Sequence, residues 1–473
     1  MTLSAQVARN TMVQVAGKAV STLLGLAAVA VMARYLKESG FGQYTTIITY
    51  LSFFAVLADF GLTLVTAQMT SQPQADQKNL LDNLFSLRLV SAAALLGAAP
   101  LIIIFFPYDP IIKIGAAVAS LSFFFTALNQ ILVGWFQKNL TMSVVAAAEV
   151  ISRIILLGGI ILAAYLKLGL LAIMAVTVIS SAVSFLLHFW FSRRSIKISW
   201  RIDLTVWRQI IKKSWPLGIT IFFNLIYLRA DILLLSLLKN QSEVGIYGAT
   251  YKIIDVLTTL PFMFSGLILP ILTARWAGRN RADFSRILQK SFDAMIILAL
   301  PLIIGAQLTA RPLMVLVAGE NFALSGDVLK ILILAIGFIF TGCLLSHAVI
   351  ALDKQKKVIA GYIFTAVTAL IGYLIFIPRY SYFGAAWVTV YSELSIALFA
   401  LYVVMKYSGF RFNFTVFLKS LLASLLMGLI VYLLKDEVNI IITILLAGLV
   451  YAAGLYGLNT VAKKDLIGLI SDK

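Results

Sequence analysis

Apolar stretches of about twenty residues, the length a helix needs to cross roughly 30 Å of hydrocarbon, recur along the chain from Met12 onward. Each ends at a short cluster of charged residues, glycine or proline. This pattern predicts about fourteen helical spans, near 12–33, 44–70, 84–106, 112–136, 142–165, 169–192, 215–238, 247–273, 291–310, 327–351, 358–377, 383–405, 417–434 and 438–460. The cut between the last two, at Lys435, Asp436, Glu437 and Val438, is the weakest, and a count of twelve is also compatible with the pattern. The ten-residue alternation of a membrane barrel is absent. The predicted fold is therefore all-α and membrane-embedded, because in lipid only a helix or a closed barrel satisfies its own backbone.

Composition agrees with this reading. The chain has 473 residues, 61% hydrophobic and 12% charged, with a mean hydropathy of +0.98. A water-soluble protein keeps about a quarter of its residues charged. The first span follows only Arg9 and lacks a small-residue cleavage site, so it is expected to be retained. Cys343 is the only cysteine, which excludes an internal disulfide and a cysteine-held metal cluster. His188 and His347 lie far apart near span ends and are read as structural; no metal site is expected.

The net charge of +18 gains its meaning from where the cations fall. With the N-terminus inside, one side receives Arg193, Arg194, Lys197, Arg201, Arg208, Lys212 and Lys213, then Arg275, Arg279, Arg281, Arg286 and Lys290, then Lys354, Lys356 and Lys357. That side holds about 24 loop and terminal cations against about 8 on the other, which places both termini in the cytoplasm. The surplus is topology and contact with anionic lipid rather than nucleic-acid binding. From Asp203, Leu204, Trp207 and Ile211 fall at helical spacing among Arg208, Lys212 and Lys213, the pattern of a helix lying in the interface before the seventh span.

An internal repeat organises the spans. Gly42-Gln43-Tyr44 opens the second span and Gly245-Ile246-Tyr247 the eighth. Ala75-Asp76 leads to Leu80, Leu81 and Phe85, as Ala282-Asp283 leads to Ile287, Leu288 and Phe292. Gln137-Lys138 and Asp353-Lys354 precede similar span pairs, with Gly169 and Gly384 before the later members. Six spans repeat and two follow, giving an N-terminal six-helix lobe at 1–192, a basic linker with the interfacial helix at 193–214, a second six-helix lobe at 215–406 and two further helices at 407–473. Six is even, so the copies run parallel, as in a two-lobed transporter with a central cavity.

Charges inside the spans point to the chemistry. Tyr227 to Leu238, YLRADILLLSLL, carries Arg229 about fourteen residues into the seventh span, roughly 21 Å along it. Lys18, Asp59, Arg88, Glu149, Arg153, Asp231, Lys252, Asp255 and Glu393 also fall within spans. Each would cost about 2.5–3.5 kcal/mol if it faced lipid at the bilayer centre, so the interior must be wet, paired or both. Glu149 and Arg153, four apart, are expected to neutralise one another as a structural pair. Lys252 and Asp255, three apart, are open to the same reading. Arg229 and Asp231, two apart, diverge and need partners elsewhere. Lys18, Arg229, Lys252 and Arg88 are candidate contacts for an anionic substrate, since ammonium and guanidinium suit phosphate. Asp59, Asp231 and Asp255 are candidates for coupling to a proton or sodium ion. The competing reading is that these charges only hold helices together.

No G-x-x-x-x-G-K-[ST], H-E-x-x-H or G-x-S-x-G motif occurs, and no loop suggests a transferase domain, so the chain is not expected to be an enzyme. Three segments carry a family likeness. RYLKESGFGQYTTIITYLSFFAVLADFG at 34–61, YLRADILLLSLLKNQSEVGIYGATYKI at 227–253 and WFQKNLTM at 135–142 resemble the oligosaccharide-lipid flippases of the multidrug/oligosaccharidyl-lipid/polysaccharide exporter superfamily, in particular its polysaccharide transporters. The resemblance implies two six-helix lobes in a V, alternating access, and a lipid-linked oligosaccharide, with sugars joined through pyrophosphate to a polyprenol. It gives Lys18, Arg229 and Lys252 the general role of cavity cations. It also implies a cytoplasmic (inner) membrane location and work alongside a polysaccharide polymerase and chain-length machinery. O-antigen, capsule and lipid II precursors all remain open as substrates, and a multidrug-type cation antiporter of the same superfamily is the alternative. A membrane scaffold explains the buried charges less well.

Overall fold

The computed structural model describes residues 3–63, 69, 76–139, 141–193, 196, 198–435 and 437–460, and among them there is no strand. Ala75, Leu140, Arg194, Lys197 and Asp436, named above, lie outside the described residues, as do the end of the second predicted span and residues 461–473 of the last segment. The helices are α1 (Leu3–Asp59), α2 (Gln77–Ile102), α3 (Pro110–Lys138), α4 (Met142–Tyr165), α5 (Gly169–Ser192), α6 (Leu204–Leu238), α7 (Gln241–Ala277), α8 (Arg281–Ala318), α9 (Ala323–Ala351), α10 (Gln355–Ser408), α11 (Thr415–Leu434) and α12 (Ile440–Gly457). Eleven helices among the described residues are long and apolar enough to cross a membrane. The chain is thus a multi-pass membrane protein.

Two helices run through positions where the hydropathy pattern separates spans. Helix α1 breaks at Lys37 (φ 56°) and α10 at Ser381 (φ 52°). Each break lies in the short polar gap between two predicted spans, so a single non-helical residue replaces a loop. Helix starts follow local chemistry: Asp76 caps α2 by accepting from Asn79 N–H at 3.1 Å, and Asn280 caps α8 by accepting from Asp283 N–H at 3.0 Å. The repeated Ala-Asp pair therefore sits in different capping registers, Asp76 at the cap and Asp283 in the first turn. The apolar positions behind it stay equivalent, with Leu81 and Leu288 both fully buried.

The helix expected in the interface from Asp203 is not separate. Asp203 caps α6, accepting from Thr205 and Val206 N–H, and α6 continues unbroken through the seventh predicted span. Of the three apolar residues expected on its interfacial face, Trp207 is partly buried against Leu62, Leu80, Leu84, Leu87 and Ile210, whereas Leu204 and Ile211 are exposed.

By packing, the chain forms two compact units, Met1–Gly248 and Ala249–Lys473, divided inside α7. In the first, α1 packs against α2, α3, α4 and α6, while α5 packs against α3 and α4. The repeated glycines meet here. A side-chain carbon added at Gly42 would lie 1.7 Å from the Gln241 carbonyl oxygen, and one added at Gly245 would lie 2.0 Å from the Glu38 carbonyl oxygen. The same offset relates Gly42 to Gly245 and Glu38 to Gln241, so equivalent turns of the two copies cross backbone to backbone in a self-complementary contact. Thr46 donates to Gln241 Oε1 at 2.8 Å beside it. Between α2 and α3, Tyr108 is bonded to Ser236 of α6 at 2.7 Å. Burial pushes this phenol up to about 12, against the opposing effect of the Ser236 bond, so it stays protonated at neutral pH. In the second unit α8 packs against α9 and α11, α9 against α10, and α11 against α12.

Candidate functional site

In the first unit, α1 and α4 approach closely because small residues face each other. A carbon added at Gly17 would lie 2.5 Å from Ala146 Cβ. That crossing brings Lys18 to Glu149, with Nζ 3.8 Å from Oε2, and Ser21 donates to the same oxygen at 3.4 Å. The expected Glu149–Arg153 pair is therefore corrected: Glu149 turns to α1, and no ion pair joins it to Arg153 among the described residues. One helical turn on, the Arg153 guanidinium lies against Gly25, 3.8 Å from where a side-chain carbon would begin. Lys18 and Glu149 are 50% and 37% exposed, and Arg153 is exposed. This wall carries two cations to one anion. A half-exposed pair at this distance adds little stability, so Glu149→Gln is expected to change the unfolding free energy by less than about 1 kcal/mol, measured by thermal unfolding of the purified protein.

Arg88 is also placed differently from expectation. It is 1% exposed, with one guanidinium nitrogen 2.7 Å from Asp59 Oδ1. Its Nε donates to the Ala127 carbonyl at 3.0 Å and its other terminal nitrogen to Gln130. Thr63 donates to Asp59 Oδ1 through its backbone N–H at 3.2 Å and its hydroxyl at 2.5 Å, and the same hydroxyl lies 3.2 Å from Gln130 Oε1. Arg88, which the sequence offers as a substrate contact, is thus buried here as a junction of α1, α2 and α3. Asp59, expected to carry a coupling ion, is engaged by the same pair. The lock's third member, Gln130, carries a sequence signal that hydropathy underweights: a glutamine in the middle of an apolar run.

Asp231 is fully buried. It accepts from Tyr247 hydroxyl at 2.7 Å and from Ile232 N–H at 2.7 Å, so it ties α6 to α7. Arg229, two residues before it, is half-buried, as are Lys252 and Asp255 on α7. His188 is buried and bonded to the Ser184 carbonyl at 2.7 Å, and His347 is bonded to the Cys343 carbonyl at 2.8 Å. Both are helix-internal contacts. Among the described residues, no group of three His, Cys, Asp or Glu side chains could hold a metal ion.

The second unit holds a different surface, which the linear pattern did not reveal. A groove of about 340 Å³ runs between α7, α8, α9, α11 and α12, with walls that include Ile253, Leu257, Leu302, Leu313, Met427 and Val431. Thr309 is the only hydroxyl among its lining residues. The two C-terminal helices supply one wall through Met427, Val431, Ile444 and Ala447.

The family described as polysaccharide biosynthesis protein matches residues 31–327, more than half of the chain. No curated protein matches it. Among solved structures, the chain is similar to a lipid II flippase MurJ in an inward closed conformation, with a TM-score of 0.79 at 18% identity, covering 96% of this chain and 100% of that one. It is similar to an inward-facing multidrug resistance MATE family transporter of the MOP superfamily, with a TM-score of 0.68 at 15% identity, covering 82% of this chain and 95% of that one. A MOP superfamily transporter from Pyrococcus furiosus, described as having a binding pocket of reverse polarity, gives a TM-score of 0.57 at 16% identity, over 85% of this chain and 96% of that one. These likenesses establish a shared fold.

Proposed function

The chain belongs to the polysaccharide biosynthesis protein family, and from that premise we propose that it is a flippase rather than an enzyme. Its substrate in this reading is an oligosaccharide linked through pyrophosphate to a polyprenol, such as an O-antigen, capsule or exopolysaccharide repeat unit. The substrate moves from the cytoplasmic to the outer leaflet of the inner membrane by alternating access, with both termini cytoplasmic. A polymerase and chain-length machinery would take up the product.

The observation that carries this reading is the α1–α4 wall. Lys18 and Arg153 remain accessible on helices that otherwise suit lipid, and leaving each in hydrocarbon would cost about 2.5–3.5 kcal/mol, so the wall faces water or a polar ligand. Its excess positive charge suits a pyrophosphate and opposes the cationic substrates of a drug antiporter. The apolar groove of the second unit suits a polyprenyl chain, which would stay in a lipid-like environment while the head crosses. An inside-negative potential adds about 2.3 kcal/mol per charge per 100 mV to outward movement of the anion. Asp255, half-buried on α7, is retained as the candidate for proton or sodium coupling.

A second reading, in which the head is that of a peptidoglycan precursor, is favoured by the extent of the likeness to the lipid II flippase. Transfer in proteoliposomes tests both. The wild type is expected to move a polyprenyl-pyrophosphate oligosaccharide faster than lipid II or a cationic dye, and Arg229→Ala or Lys18→Ala to lower that rate at least tenfold. Undiminished transfer by both variants would remove the cationic site from the mechanism, and preference for lipid II would select the second reading.

A further inference from the structure

Between α5 and α6 the chain is irregular at residue 196 and over 198–203, yet it is bonded far more closely than a linker requires. Ser199 donates its N–H to Asp82 Oδ1 at 2.8 Å and its hydroxyl to Asp82 Oδ2 at 2.7 Å. Arg201 N–H donates to Ser86 Oγ at 3.0 Å, and Asp203 N–H to Asn83 Oδ1 at 2.8 Å. All three acceptors are buried, Asp82 at 2% exposure and Asn83 and Ser86 at 0%. Helix α2 thus devotes three polar core positions to holding every second backbone N–H of this strap.

That alternation decides where the strap's side chains go. Ile196 and Ile198 pack on a cluster of Leu81, Ile131 and Trp135, and Ile198 also on Leu132 and Phe136. Trp200 and Ile202 come next in the same alternation, yet both are exposed, and so is Leu204 at the start of α6. The apolar series begins inside the bundle and runs out past its edge. Arg201 is exposed beside it, and Arg208, Lys212 and Lys213 are exposed on the first turns of α6.

We propose that this strap and the first turns of α6 bind anionic phospholipid of the cytoplasmic leaflet. Trp200, Ile202 and Leu204 would enter the boundary between headgroups and acyl chains, and Arg201, Arg208, Lys212 and Lys213 would meet the phosphates. An indole beside arginine is the composition of a membrane interface, and basic clusters next to a span attract anionic lipid. Three apolar side chains fall well short of the roughly 800 Å² per partner that a stable protein complex buries, whereas a bilayer extends the lipid-facing surface already present. The buried Asp82 makes the presentation rigid, so binding orders little additional chain. The inference rests on orientation and surface chemistry and stands independently of the transported substrate.

The test uses the full chain in nanodiscs of phosphatidylcholine with increasing phosphatidylglycerol whose acyl chains are brominated near the headgroup. The Trp200 signal is the fluorescence difference between wild type and Trp200→Phe, a change at an exposed position that leaves the fold intact. We expect brominated phosphatidylglycerol to quench this signal and aqueous iodide to leave it unchanged. With Arg201→Gln, Arg208→Gln and Lys212→Gln combined, the lipid fraction at half-quenching should rise at least about fivefold, the effect of losing one cation near an anionic surface. Quenching by iodide but not by brominated lipid, as a surface for a soluble protein would give, overturns the proposal. So does an unchanged half-quenching fraction in the triple variant.

Discussion

Gly42→Ala is expected to destabilise the protein by about 1–3 kcal/mol, the usual cost of forcing a methyl group into a filled space. Elsewhere in a helix this substitution gains about 1 kcal/mol from propensity. Here the new carbon would stand 1.7 Å from the Gln241 carbonyl oxygen and 2.9 Å from Gly245 N, and backbone atoms have no rotamer by which to withdraw. Either the turns of α1 and α7 separate or the substitution is not accommodated, so the clash outweighs the propensity. Gly97→Ala is the control, because nothing lies within 4 Å of its added carbon, and it should be neutral or slightly stabilising. Thermal unfolding of purified protein in one detergent compares the two. Equal midpoints would mean that the crossing of the two copies contributes no stability.

Arg88→Ala is expected to cost more, about 3–5 kcal/mol, because removing one member of a buried pair strands the other charge. Asp59 would keep its Thr63 bonds but lose the guanidinium, Gln130 would lose its nearer donor and the Ala127 carbonyl its side-chain donor. The double variant Arg88→Met with Asp59→Leu should recover most of that loss, since a well-packed apolar pair often matches a buried ion pair. A substrate contact predicts the opposite pattern: Arg88→Ala would leave the unfolding midpoint in place and lower only transfer. Midpoint and transfer rate measured on the same preparations separate the two roles.

What the sequence makes legible here follows from how local each signal is. The spans are written in consecutive residues, and even the breaks at Lys37 and Ser381 lie in gaps that hydropathy marks. The glycine repeat is legible as a recurrence, although its reason, contact between the two copies, requires two turns some two hundred residues apart to meet. Pairing of charges within the spans is least legible. Glu149 and Arg153 have the correct spacing for a pair, but Gly17 against Ala146 brings Lys18 close enough to take the carboxylate. Arg88 and Asp59 lie on different helices, and no helical spacing relates them. The strap is hidden for another reason: its partners Asp82, Asn83 and Ser86 read as ordinary polar residues near a helix start until their burial is known.

The Asp59–Arg88 lock also bears on biogenesis. The second arm of α1 leaves the ribosome before α2 and α3, so its carboxylate enters the membrane environment ahead of the guanidinium that neutralises it and of the glutamine that completes the lock. A nascent chain ending short of Arg88 should therefore integrate that arm less efficiently than one extending beyond Gln130, which glycosylation-site mapping of truncated translation products can measure. Early helices of this protein would be retained near the translocon until later ones arrive, and insertion would proceed by groups of helices rather than one at a time.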